Sequence, residues 1–135
     1  MTDANIRSSA GRFVANPPAG REETEKVQSE LKFALPKSYV DFLLTANGGE
    51  GFTSDSYVVL WRVEDLVSRN AAYNVAGFAP GLFLFGSNGG GEAFGFDTGS
   101  ETCSIVSIPF VTMDKMDARL VATNFERFIS TLSAS

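Results

Sequence analysis

The chain has 135 residues, enough for one domain around a single core. Its 44% hydrophobic and 20% charged residues are the usage of an ordinary globular protein, which excludes a disordered or fibrous chain. A formal charge of -5 opposes direct nucleic-acid binding, which relies on Lys and Arg set against phosphates, and suits a basic protein partner instead.

Histidine is absent and Cys103 is the single cysteine. These two facts remove Ser-His-Asp and Cys-His catalysis, histidine-ligated zinc, cysteine clusters and intramolecular disulfides. No apolar run approaches the roughly 20 residues that span a bilayer, and the opening Met1 to Phe13 lacks a basic start and an apolar stretch. The expected location is the cytoplasm, with no membrane contact.

In chain order, Ile6, Ala10, Phe13 and Val14 fall at helical spacing and predict a short helix that Asn16-Pro17-Pro18-Ala19-Gly20 ends. Arg21 to Lys32 predicts a second helix, with Glu22, Glu23 and Glu25 at the positive end of its dipole and Val27 and Leu31 inward. Pro36 fits the first turn of a third helix with a Tyr39, Phe42, Leu43, Ala46 stripe, for which Asn47-Gly48-Gly49 supplies a left-handed cap. Glu50 to Ser56 reads as a loop, Tyr57 to Trp61 as a strand, and Val63 to Asn70 as a short helical stretch.

Leu82 to Phe85 and Glu92 to Asp97 read as strands joined into a hairpin by the glycine-rich stretch between them. Cys103 to Ile108 is a further strand ended by Pro109, whereas Arg119 to Ala122 is compatible with an edge strand without requiring one. Thr123 followed by Glu126 has the form of a capping box before a final helix whose stripe is Phe125, Phe128, Ile129 and Leu132. The order predicts an α+β fold over residues 1–135: a central, largely antiparallel sheet flanked by N-terminal helices and a C-terminal helix.

Asn88-Gly89-Gly90-Gly91-Glu92 has the glycine content of a phosphate loop, but no Lys-Ser, Lys-Thr or long helix follows, so a tight turn with positive φ is the simpler reading. Glu92 and Asp97 stand five residues apart on one strand and face opposite sides, unlike a glycosidase pair. Cys103 has no basic neighbour and reads as an inert thiol. No catalytic residue, metal or cofactor is therefore assigned. Glu50, Asp55, Glu92 and Asp97 lie in or beside glycine-rich turns, where carboxylates stay solvated, and are candidates for partner binding or simple turn capping. Tyr57, Trp61 and Tyr73 offer an aromatic contact surface, with core packing as the competing reading for Trp61.

Three segments carry a resemblance: Leu35 to Leu44 ending in Asn47-Gly48-Gly49, then Leu84-Phe85-Gly86 through Gly91-Glu92-Ala93-Phe94-Gly95-Phe96-Asp97, and Val121 to Ile129. Together they resemble the SUKH superfamily, which includes fungal cell-wall assembly regulators and many bacterial immunity proteins. The first looks like the family's "LP" helix closing on Asn-Gly, the second like its glycine-acidic hairpin, with Glu92 where Asp is frequent, and the third like its closing helix. The resemblance implies protein binding without catalysis, in bacteria as an antidote to a toxin encoded nearby, many such toxins being nucleases. It leaves open a regulatory or scaffolding domain that binds host proteins or peptides. A carboxylate hydrolase is the third reading and has the least support, because the usual general base is missing.

Overall fold

The structure, a computed structural model, describes residues 13–53 and 56–133, with side chains described through Thr131. Its seven strands are neighbours in chain order, each antiparallel to the next. They are β1 (Val14–Ala15), β2 (Gly49–Phe52), β3 (Tyr57–Leu60), β4 (Leu82–Ser87), β5 (Glu92–Asp97), β6 (Ser104–Pro109) and β7 (Arg119–Ala122). The helices are α1 (Arg21–Glu30), α2 (Lys37–Thr45), α3 (Leu66–Ala72), α4 (Val75–Phe78) and α5 (Phe125–Ser133), with 3-10 turns at Val63–Asp65 and Lys115–Asp117. The architecture is the α+β fold with an antiparallel sheet and flanking helices that the sequence predicts, and the strand order makes the sheet a meander. No helix among the described residues is long and apolar enough to cross a membrane.

The stripes of α2 and α5 meet over one face of the sheet. Phe42, Leu43, Phe125 and Phe128 are buried together, and the Phe42 and Phe125 rings lie 5.6 Å apart. Tyr39 inserts between helices and strands, its ring 5.0 Å from both Phe96 and Phe125 and 5.7 Å from Phe85. Its hydroxyl is buried without a hydrogen-bond partner among the described residues, and burial pushes the phenol well above its usual pKa. A buried donor with no partner is a cost, so Tyr39→Phe should leave stability unchanged or raise it by about 1 kcal/mol. A urea midpoint that fell by the equivalent of more than about 1 kcal/mol would reveal a partner for that hydroxyl.

The strand β4 outruns its neighbour β3, whose ladder ends at Leu60–Gly86 with one further bond from Trp61 N–H to the Phe85 carbonyl. Asn70 of α3 takes over as a surrogate partner. Its Oδ1 accepts from Leu84 N–H at 2.8 Å and its Nδ2 donates to the Leu84 carbonyl at 2.9 Å. A buried strand needs both groups satisfied, and a side-chain amide carries one acceptor and two donors.

The structure corrects four local expectations. Of the predicted first helix, Ile6 and Ala10 lie outside the described residues, while Val14–Ala15 is a strand paired with Gly49 and Glu50. Residues Glu50 to Ser56 are not all loop, since Gly49–Phe52 pairs with β3. The Asn47-Gly48-Gly49 stretch is not the cap of α2, which ends at an extended Ala46. The final helix is capped by Asn124 rather than Thr123: Asn124 Oδ1 accepts from Arg127 N–H at 2.8 Å, and Thr123 instead gives its carbonyl to the Thr102 hydroxyl. Asn124→Ala should therefore cost about 0.5 to 2 kcal/mol and Thr123→Ala less, by chemical denaturation. The opposite order would return the cap to Thr123.

Candidate functional site

Glycine builds the edge at which the candidate residues collect. Gly49 has φ +149, and a Cβ there would stand 2.4 Å from the Val14 carbonyl oxygen, so only glycine lets β1 close on β2. The register Val14 to Glu50 to Val59, with Phe52 opposite Tyr57, then puts these side chains on one face. On it, the Tyr57 hydroxyl donates to Glu50 Oε2 at 2.5 Å. That bond to a carboxylate, with smaller contributions from desolvation and the Glu50 charge, raises the phenol pKa. The Phe52 ring meets Tyr57 edge-on at 4.8 Å, and Gly89 of the β4–β5 turn approaches so closely that a Cβ would lie 2.5 Å from the Tyr57 ring. Tyr57 is thus clamped from two sides and holds Glu50.

Next to this pair opens a cleft of about 240 Å³, lined among others by Asn16, Glu50, Trp61, Arg62, Asp65 and Arg69. The Arg69 guanidinium lies 5.1 Å from the centre of the Trp61 ring, a cation–π distance. Trp61 stacks on Tyr73 at 6.3 Å, and Tyr73 meets Phe110 at 4.8 Å. Trp61 is 6% exposed, so it belongs to the core and reaches the cleft only at its margin. The lining holds the carboxylates of Glu50 and Asp65 and the guanidinium groups of Arg62 and Arg69, which equips it to hydrogen-bond protein side chains of either charge.

The remaining candidates lie elsewhere. Asp55 lies outside the described residues. Glu92 is half-buried and faces Arg119 of β7 at 3.5 Å. Asp97 accepts from Gly99 N–H at 3.0 Å in the β5–β6 turn. The unbroken register from Glu92–Pro109 to Asp97–Ser104 sends the two carboxylates to opposite faces, as their spacing predicts. The glycine-rich turn satisfies itself. Gly89 has φ +78, Ser87 Oγ takes the Gly89 amide, and Asn88 Oδ1 takes those of Gly90 and Glu92. Burial, and then the Asp97 charge, raise the pKa of Cys103 and disfavour its thiolate.

Sequence reasoning did not find Arg62, Asp65 or Arg69, because only tertiary packing gathers them. It also read Glu22, Glu23 and Glu25 of α1 solely as partners of the helix dipole and gave Glu30 no role. In the structure Glu23, Glu30 and Glu64 line a hollow of about 130 Å³ together with Lys26. Glu64 is held below the usual carboxylate pKa, chiefly by the Asn47 side-chain amide.

Asn47 is the buried hub beneath both surfaces. Its Oδ1 accepts from Val63 N–H and its Nδ2 donates to Glu64, both at 2.8 Å, while its carbonyl accepts from Asn16 Nδ2 at 3.0 Å and its N–H donates to the Pro17 carbonyl. One residue thereby joins the N-terminal segment through its backbone and the 3-10 turn through its side chain to the end of α2. An Asn-Gly at this point, following an LP-initiated helix, is the first of the three segments that carry the SUKH resemblance. The sequence model of the SMI1 / KNR4 family (SUKH-1) matches residues 18–131. The chain belongs to the SMI1 / KNR4 family. No curated protein matches it. In this SUKH-1 chain the LP helix is α2, the glycine-acidic hairpin is β4–β5, whose turn clamps Tyr57, and the closing helix is α5 over the shared core.

Proposed function

We propose that this SUKH-1 chain is a non-catalytic protein-binding module that acts in the cytoplasm as an immunity protein, neutralising a cognate toxin encoded nearby. Membership of the family carries the reading. The charge of -5 supports it and suits a basic toxin such as a nuclease, because opposite fields speed encounter. The clamped Glu50–Tyr57 pair and the adjacent cleft are the surface that fits the role best: carboxylate, phenol and guanidinium groups are ordered before binding, and Tyr and Arg are enriched among residues that dominate interfaces.

Glu50 is exposed, so Glu50→Lys should leave the melting temperature nearly unchanged. It should slow association with the product of the neighbouring gene several-fold at low salt, with the difference shrinking as salt screens the charge, on the order of a Debye length of 10 Å at 0.1 M. Stopped-flow rates over a salt series give the test. Equal rates and equal salt slopes for wild type and variant would remove this face from the interface.

A further inference from the structure

Among the described residues, the last strand of the sheet is open on one side. β6 pairs with β7, and no strand follows it among the described residues. Edge strands in natural proteins are guarded by charges, proline or brevity, because their outward N–H and C=O groups template another strand. The opposite edge, β1, is two residues long. β7 is four, and its one charge, Arg119, faces Glu92, while Leu120 and Val121 are 66% and 39% exposed. Beside it runs a groove of about 410 Å³, with Leu120 to Thr123 on the strand wall and Arg127, Ser130 and Thr131 of α5 on the other.

A groove between a free sheet edge and a helix admits an extended peptide, which pairs its main chain with the edge and sends alternate side chains toward the helix. We propose that the β7–α5 groove binds an extended segment of a partner protein by strand addition, a segment apolar at alternate positions and bearing a carboxylate. The carboxylate follows from local charge: among the described residues the groove is lined by Arg127 and by no acidic residue. The same charge opposes a second copy as occupant, since β7 carries no carboxylate to meet Arg127. This surface lies at the far edge of the sheet from the Glu50 cleft and stands independently of the toxin reading.

Selection of random eight-residue peptides displayed on phage against the intact chain tests the proposal. The enriched peptides should alternate apolar residues and carry Asp or Glu, and adding them should protect the amides of residues 119–122 from exchange. Their binding should fall at least tenfold in Val121→Lys, and at least tenfold when alternate peptide amides are N-methylated. Arg127→Glu should invert the preference from acidic to basic peptides. Both substituted side chains are outside the core, so each variant should melt with the wild type. Absence of enrichment, equal binding by the N-methylated peptides, or equal binding to Val121→Lys would overturn the proposal. So would protection of residues 119–122 that rises with protein concentration alone, which would place a second copy on the edge.

Discussion

Phe125→Ala should lower the unfolding free energy by about 3 to 5 kcal/mol, the cost of emptying a large aromatic site in a core that relaxes only in part. Phe125 is 1% exposed and touches rings from every layer: Tyr39 at 5.0 Å, Phe42 at 5.6 Å, Phe85 at 5.8 Å and Phe128 at 6.1 Å. It is also the first residue of α5, directly after the Asn124 cap, so the cavity would open where the helix joins the sheet. Against a typical total of about 5 to 15 kcal/mol, such a loss brings the domain near its folding threshold. Urea unfolding of the wild type and the variant measures it. A loss below about 1.5 kcal/mol would mean that the α2–α5 aromatic cluster is not the main support of the fold.

Gly48→Ala should be of similar severity for a different reason. Gly48 has φ +75, and a Cβ there would lie 2.3 Å from the Leu60 carbonyl oxygen and 2.8 Å from that of Trp61. Both are backbone atoms, at the end of β3 and the residue after it, so neither can swing aside. Strain of this kind costs about 1 to 3 kcal/mol by itself, and the collision adds to it, giving a total of about 3 kcal/mol or more. The displacement would also pull on Asn47, whose side chain ties Val63 and Glu64 to the end of α2. Gly91→Ala is the control, because a Cβ there meets nothing within 4 Å. It should change stability by no more than about 0.5 kcal/mol. Equal midpoints for the two variants would refute the close approach of Gly48 to β3.

Elements with strong local signals were legible in the sequence. The stripes of α2 and α5 and the β-rich segments that form β4 to β6 stand where the sequence puts them, because their apolar residues pack into one shared core. Elements made by distant partners were not legible. Val14 and Ala15 carry no strand signal of their own and become a strand only by pairing with Gly49 and Glu50. Gly49–Phe52 reads as loop because glycine has low strand propensity, yet glycine is what allows β1 to approach. Asn47-Gly48-Gly49 has the composition of a helix cap, and it took the fold to show a hub whose glycine clears Leu60 and Trp61. The cap of α5 was misplaced by one residue because Thr123 and Asn124 are both good cap residues and only the hydrogen bond to Arg127 decides between them.

The candidate site was legible to the extent that its residues are neighbours in sequence or paired by a hairpin. Glu50 and Tyr57 are joined across β2–β3, and Trp61 follows at the end of β3. Glu92 and Asp97 were grouped with them on the strength of flanking glycines, a signal that reports turns and not position on the surface. Arg69 over Trp61 needed α3 to fold back beside β3, which no local pattern encodes.

The most direct test of the central claim is growth of cells that express the neighbouring gene's product, with and without this chain. The account predicts that the product arrests growth, that the wild-type chain restores it, and that Gly48→Ala, which disturbs the hub beneath the cleft, restores it poorly. Arrest that the chain leaves unrelieved, while it is present as folded protein at equal or higher level, would contradict the assignment of an immunity role.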